Sequence, residues 1–117
     1  MRFAEALQAH QRWIRCNLPG IDTPPGMALL IWLLQNEGRA RPVGRLYKEV
    51  RSSEPTMRAC VKAFADKGLI IVCLDRRDGR RRLILATPKL RERVADFRHR
   101  LGSLSQASLP SKWEENE

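Results

Sequence analysis

Apolar positions along the first 18 residues recur at helical spacing. Phe3, Leu7, Trp13, Ile14 and Leu18 fall near one face, with Glu5, Gln8, Gln11 and Arg12 opposite, which predicts an amphipathic helix over 2–18 closed by Pro19-Gly20. Asp22-Thr23-Pro24-Pro25 then reads as a helix start. Thr23 can cap it, and Pro24 suits the first helical position, where a missing N–H is harmless. From Pro25 to about Gln35 the chain is apolar on most sides, the pattern of a central, buried helix, and Gly38 is its expected stop. Pro42 can open a short helix carrying Val43, Leu46 and Val50 on one side. After the break Arg51-Ser52-Ser53-Glu54-Pro55, Ser53 is the expected N-cap and Glu54 complements the positive end of the next helix dipole. That helix runs to Lys67 and ends at Gly68. Its apolar face is Met57, Cys60, Val61 and Phe64, so Thr56, Arg58, Ala59 and Lys62 point away from the core.

Between Gly68 and Thr87 the period changes. Two apolar runs of strand composition flank a turn holding Arg76, Arg77, Arg80, Arg81 and Arg82, and Asp78-Gly79 predicts a tight hairpin in which glycine supplies positive φ. Thr87-Pro88 starts a last helix to about Leu101, with Leu90, Val94, Phe97, Leu101 and Leu104 spaced as a heptad seam. Residues 105–117 are polar and read as a loose tail. The expected fold class is mainly α with a small β-hairpin. One domain covers 1–104, with an N-terminal helix (1–18), a central unit (25–87) and a C-terminal helix (88–104); 117 residues suit a single core.

Charge gives this architecture a partner. The net charge is +9, and residues 39–82 hold thirteen Lys/Arg against five Asp/Glu, so nearly all of the excess lies in the middle third. A hairpin tip with five guanidinium groups repels itself, and a polyanion relieves that repulsion. Aromatic residues make up only 6%, too few for a single-strand stacking surface. Two short helices joined by a turn, followed by a basic hairpin, describe a winged helix-turn-helix. A helix fits the major groove of duplex DNA, and a hairpin beside it reaches phosphates or the minor groove.

Other classes find less support. No Ser/His/Asp set, paired carboxylates, phosphate loop or zinc spacing occurs, so neither an enzyme nor a bound metal or cofactor is expected. His10 and His99 are isolated. Cys16, Cys60 and Cys73 are an odd, widely spaced set, and the apolar run Met27–Leu34 is too short to span a bilayer. A cytoplasmic protein with reduced thiols is expected. Cys60 and Cys73 read as core.

The stretch Asp75-x-Arg77-Asp78-x-Arg80, followed after six residues by Thr87-Pro88-Lys89, together with Ser53-Glu54-Pro55-Thr56 and Lys67-Gly68-Leu69, resembles the multiple-antibiotic-resistance regulator (MarR) family over residues 25–93. The chain departs from the family pattern at Tyr47 (a small Ala), Arg51 (a turn Gly), Ser52 (a Leu), and Ala86 and Leu90 (Leu and Gly). Its flanking helices are also short. The resemblance implies a sequence-specific, duplex-DNA-binding transcription regulator, dimeric and of repressor type. A winged-helix protein-interaction module and a non-specific nucleic-acid-binding protein are the alternatives.

Candidate roles follow. Thr56, Arg58 and Lys62 face a major groove, where Arg58 can read a guanine; Pro55 can meet a thymine methyl. Ser53 can bond a phosphate or cap its own helix. Arg80 matches the family arginine that enters the minor groove. Arg77 matches the one that pairs with Asp75 or Asp78, and a structural role for it stands beside a DNA role. Arg76, Arg81 and Arg82 suit phosphates; Arg39, Arg41 and Arg45 are either backbone contacts or solvated connector. Phe3, Leu7 and Ile14 of one chain are expected to pair with Leu90, Val94, Phe97 and Leu101 of another, or with the same chain's own last helix. A small-molecule effector is implied by the resemblance, with Trp13 and Trp32 as pocket lining or plain core, and Cys16 as a peroxide sensor or an inert thiol.

Overall fold

The computed structural model describes residues 1–114. Its elements run α1 (Phe3–Asn17), α2 (Pro24–Gln35), β1 (Arg41–Pro42), α3 (Val43–Glu49), α4 (Glu54–Asp66), β2 (Ile70–Leu74), β3 (Arg82–Ala86), α5 (Pro88–Ser105) and α6 (Ser111–Glu114). Residues 115–117 of the expected tail lie outside the described residues.

The helix boundaries have local chemical causes. The Thr23 hydroxyl oxygen accepts the Gly26 N–H at 3.4 Å, and the hydroxyl itself donates to the Gly20 carbonyl at 2.6 Å. This pulls the connector so close that a Cβ on Gly26 would collide with the Gly20 carbonyl, so α2 can start there only with glycine. At the far end of α4, Gly68 takes φ +72°. Its N–H bonds the Ala65 carbonyl at 2.9 Å, and the Leu69 N–H bonds the Phe64 carbonyl at 3.0 Å. This paired left-handed stop turns the chain directly into β2.

The core joins the helices to the sheet. Leu18, Leu29, Leu46, Met57, Phe64, Leu69 and Ile84 are essentially fully buried. Phe64 alone, cut to Ala, would cost about 3–5 kcal/mol. The expectation for α2 holds for Leu29, Leu30, Trp32 and Leu33, but Ile31 and Leu34 remain exposed.

Residues 39–42, expected as plain connector, include a strand. Arg41 and Pro42 pair with Ile84 and Leu83, giving a three-stranded antiparallel sheet ordered β1-β3-β2. β2 and β3 pair from Ile70↔Ala86 to Leu74↔Arg82. Ile70 and Ile84 face the core, whereas Ile71, Cys73 and Leu74 are exposed. Cys73 is therefore not a core thiol; a half-covered sheet turns alternate residues outward. Cys60 is half-buried, and burial raises its thiol pKa.

The two flanking helices pack on each other within one chain. Phe97 stacks with His10 (centroids 5.6 Å apart) and Trp13 (6.1 Å), and Arg100 lies over Trp13 at 5.0 Å. Ile14 (5% exposed) and Leu90 (2%) belong to this chain's own core, and Val94 and Phe97 pack against it. Within this chain these four residues pack against its own helices, the second of the two arrangements expected for them. Phe3 is half-buried, and Leu7 and Leu101 are exposed.

The segment after α5 is not a loose tail at Ser108. The Phe3 N–H donates to the Ser108 carbonyl at 2.9 Å, and the Ser108 N–H donates to the Met1 carbonyl at 3.2 Å. The chain thus folds back to satisfy an N–H in the first turn of α1. No helix among the described residues is long and apolar enough to cross a membrane.

Candidate nucleic-acid interface

The site begins with the cap of α4. The Ser53 Oγ accepts the Thr56 N–H at 3.3 Å, and the hydroxyl donates to Thr56 Oγ1 at 2.7 Å. Of the two roles open to Ser53, the structure shows the cap. Met57, Val61 and Phe64 are buried, which turns Pro55, Thr56, Arg58, Ala59 and Lys62 to solvent as expected.

The cations on that face are matched by carboxylates one turn away. Arg58 Nη2 lies 2.8 Å from Glu54 Oε1, and Lys62 Nζ lies 3.0 Å from Asp66 Oδ2. The Arg58 guanidinium also sits 5.9 Å from the ring centroid of Tyr47 on α3. The hydrogen bond to Glu54, then its charge, and the Tyr47 hydroxyl raise the Arg58 pKa above its ordinary value. Exposed i,i+4 pairs are individually weak, so each leaves its cation available to a further anionic or hydrogen-bonding partner. Both pairs follow directly from opposite charges at i,i+4 spacing, a signal present in the sequence but absent from the expectations above.

α3 carries a second network. Glu49 accepts from Arg45 Nε at 2.8 Å through Oε1 and from the Trp32 indole N–H at 2.7 Å through Oε2. These two bonds, Arg45 first, hold its carboxyl below the usual range. Trp32 is buried in the core and anchored by this bond. Arg39 is exposed. Arg41 lies half-buried in β1, and its Nε finds no hydrogen-bond partner among the described residues.

The wing differs from the expected tight hairpin. Its loop spans residues 75–81, and Gly79 does not take positive φ. The aspartates shape the loop instead. Asp75 Oδ1 accepts the Arg77 N–H at 2.9 Å, Asp78 Oδ1 accepts the Arg80 N–H at 3.1 Å, and the Asp78 carbonyl accepts the Arg81 N–H at 3.0 Å. Such aspartate turns need no glycine conformation. The ion pair expected for Arg77 is made by Arg81, whose Nη2 lies 3.2 Å from Asp75 Oδ2. Arg76, Arg77, Arg80 and Arg82 are exposed and form no ion pair among the described residues. At the wing's exit, the Thr87 hydroxyl donates to the Gly68 carbonyl at 2.7 Å and the Thr87 N–H to the Leu69 carbonyl at 3.0 Å. Those bonds tie the wing's base to the end of α4.

A separate open cleft of about 690 Å³ runs between α1 and α5, lined in part by Ala6, Ala9, His10, Trp13, His99 and Arg100. His10 Nδ1 is buried there without a hydrogen-bond partner among the described residues. Burial, and then the Arg100 charge, lower the His10 pKa. Cys16 is exposed on α1.

No protein-family model matches the sequence, and no curated protein matches it. Solved structures do match, at low identity. A MepR–DNA complex from S. aureus superposes with TM-score 0.61 at 20% identity, covering 89% of this chain and 85% of that one. A probable transcriptional regulator from Pseudomonas aeruginosa gives 0.59 at 21% identity, covering 88% and 76%. PcaV from Streptomyces coelicolor, in complex with its natural ligand, gives 0.59 at 21%, covering 88% and 72%. The chain shares their winged helix-turn-helix fold.

Proposed function

We propose that this chain is a MarR-type transcription regulator that binds duplex DNA sequence-selectively as a homodimer and acts in the cytoplasm as a repressor, without enzymatic activity. The observation that carries the reading is the pairing of two unlike surfaces on one base. A capped helix shows a polar, carboxylate-balanced face, and beside it stands a wing with four arginines that form no ion pair among the described residues. The first suits base edges in a major groove; the second suits phosphates or a narrow minor groove. The resemblance in the wing sequence and the fold shared with a DNA-bound MepR support it.

In this reading Thr56, Arg58 and Lys62 face bases, Pro55 meets a thymine methyl, and Arg80 enters the minor groove. Arg76, Arg77 and Arg82 hold phosphates, with Arg81 turned toward Asp75. Two copies place their reading helices about 34 Å apart, one turn of DNA. Leu7 and Leu101 are the expected dimer contacts left exposed in one chain, with half-buried Phe3 beside them, and exposed Leu109 and Trp113 lie on the returning tail. The α1–α5 cleft would receive an effector, and PcaV, which shares the fold, is a regulator solved in complex with its natural ligand.

Selection from random duplex DNA at ~150 mM salt, where purely electrostatic binding is already weakened, tests the proposal. A palindrome with half-sites one helical turn apart is the expected result. Recovery of no motif, with binding that vanishes as salt rises, would replace it with a packaging or protein-interaction role.

A further inference from the structure

We propose that Tyr47, a residue of α3, is a specificity-determining residue: with Glu54 it presets the Arg58 guanidinium for reading a base edge. The inference rests on the DNA-reading role of α4 proposed above.

Arg58 and Lys62 stand one turn apart on the same exposed face, but they are held differently. Lys62 has one partner, Asp66, at 3.0 Å. Arg58 has two on different elements: Glu54 at 2.8 Å on its own helix, and the Tyr47 ring at 5.9 Å on the preceding one. Tyr47 is half-buried and packs against the core, so its ring is a fixed platform. A carboxylate one turn away fixes a distance and leaves the long side chain free to swing. A ring on a second helix adds a second point of contact, which narrows that swing. A planar fork is what bidentate recognition of guanine needs, and the bond to Glu54 engages one N–H of its five. An arginine already held at two points loses less freedom on binding the correct base, and it meets a wrong base with its donors misaligned. Tyr47 would thus act through Arg58 and leave the phosphate contacts unchanged.

The test compares wild type with Tyr47→Ala, Tyr47→Phe, Arg58→Ala and the Tyr47→Ala/Arg58→Ala double variant. Each is measured on the selected operator and on a random duplex of equal length. Tyr47→Ala should lower the operator-to-random affinity ratio about 2–5-fold, the range expected for removing one exposed cation–π interaction, with random-duplex affinity and salt slope unchanged. Tyr47→Phe should keep most of the ratio, since the ring remains and only the hydroxyl contact to Arg58 is lost. The double variant should be no less selective than Arg58→Ala. Without DNA, the Arg58 Nε–H proton resonance should show a ring-current shift in wild type and Tyr47→Phe that Tyr47→Ala abolishes.

Equal loss on both duplexes, or losses from Tyr47→Ala and Arg58→Ala that multiply, would overturn the proposal. So would an Arg58 resonance indifferent to Tyr47. Should Tyr47→Ala unfold, Glu54→Gln removes the other support and should lower the same ratio; an unchanged ratio overturns the proposal. A wild type with no operator preference would overturn the DNA reading and the proposal with it. A ring-shifted Arg58 resonance would then show that the geometry stood while the reading failed.

Discussion

Helix α4 and the wing both present cations, but they hold them in opposite ways: α4 balances Arg58 and Lys62 with Glu54 and Asp66, whereas the wing carries an excess of arginine. On α4 the carboxylates of Glu54 and Asp66 sit on Arg58 and Lys62. On the wing, Asp75 and Asp78 turn largely inward to accept backbone N–H groups of Arg77 and Arg80, and four guanidinium groups have no carboxylate partner among the described residues. Carboxylates on the helix therefore moderate attraction to any phosphate, whereas those on the wing build a frame that presents positive charge. Selectivity should reside in the first region and bulk affinity in the second.

The largest effect should come from the wing. Replacing Arg76, Arg77, Arg80 and Arg82 together with Ala should weaken operator and random duplex alike, by about 100-fold or more at low salt. The log affinity–log salt slope should flatten by about 0.9 for each phosphate that is no longer neutralised. Titrations at several salt concentrations decide it; a loss confined to the operator would erase the contrast between the regions. Next comes Arg58→Ala, which should cost about 1–3 kcal/mol of discrimination while leaving random-duplex affinity nearly intact. Competition binding against single-base operator variants measures this, and equal losses on all duplexes would assign Arg58 to phosphate.

Smaller effects sharpen the picture. Ser53→Ala removes the α4 cap and should cost about 1 kcal/mol, a Tm lower by roughly 4 °C, without changing which operator is preferred. A changed preference would mean that Ser53 contacts DNA after all. The smallest effect concerns His10, far from this comparison and useful as its control. Its folded pKa is lowered from 6.5 by burial and by Arg100. The unfolded chain therefore takes up the proton first. The neutral His10 favours folding fully above pH 6.5, and that advantage fades as pH falls toward the lowered folded value. His10→Phe should flatten this part of the Tm–pH curve below pH 6.5 while leaving DNA binding at neutral pH unchanged.

What could be read from the sequence was local. Thr23-Pro24 and Ser53-Glu54-Pro55 act within one turn, and both caps form as their chemistry dictates. Two apolar runs of strand composition flanking the arginine-rich turn located β2 and β3. Misses arose wherever the partner was distant or the geometry had several solutions. β1 exists only because Ile84 and Leu83 lie beside Arg41 and Pro42, although they come far later in the chain. Ser108 meets Met1 across almost the whole chain. Asp78-Gly79 is compatible with a two-residue turn, yet the paired aspartates favour a longer loop. Apolar spacing marked Ile14 and Leu90 for burial without saying that the covering chain would be their own.

The bond from the Trp32 indole to Glu49 has a spectroscopic consequence. Glu49 is shared between that indole and Arg45, an arginine beside the proposed DNA face. If a phosphate draws Arg45 away, the carboxylate loses its cationic partner and the field at the indole changes. With Trp13 and Trp113 replaced by Phe, the remaining tryptophan becomes an intrinsic fluorophore wired to the interface. Its emission can then report occupancy of α3 without a dye attached to protein or DNA.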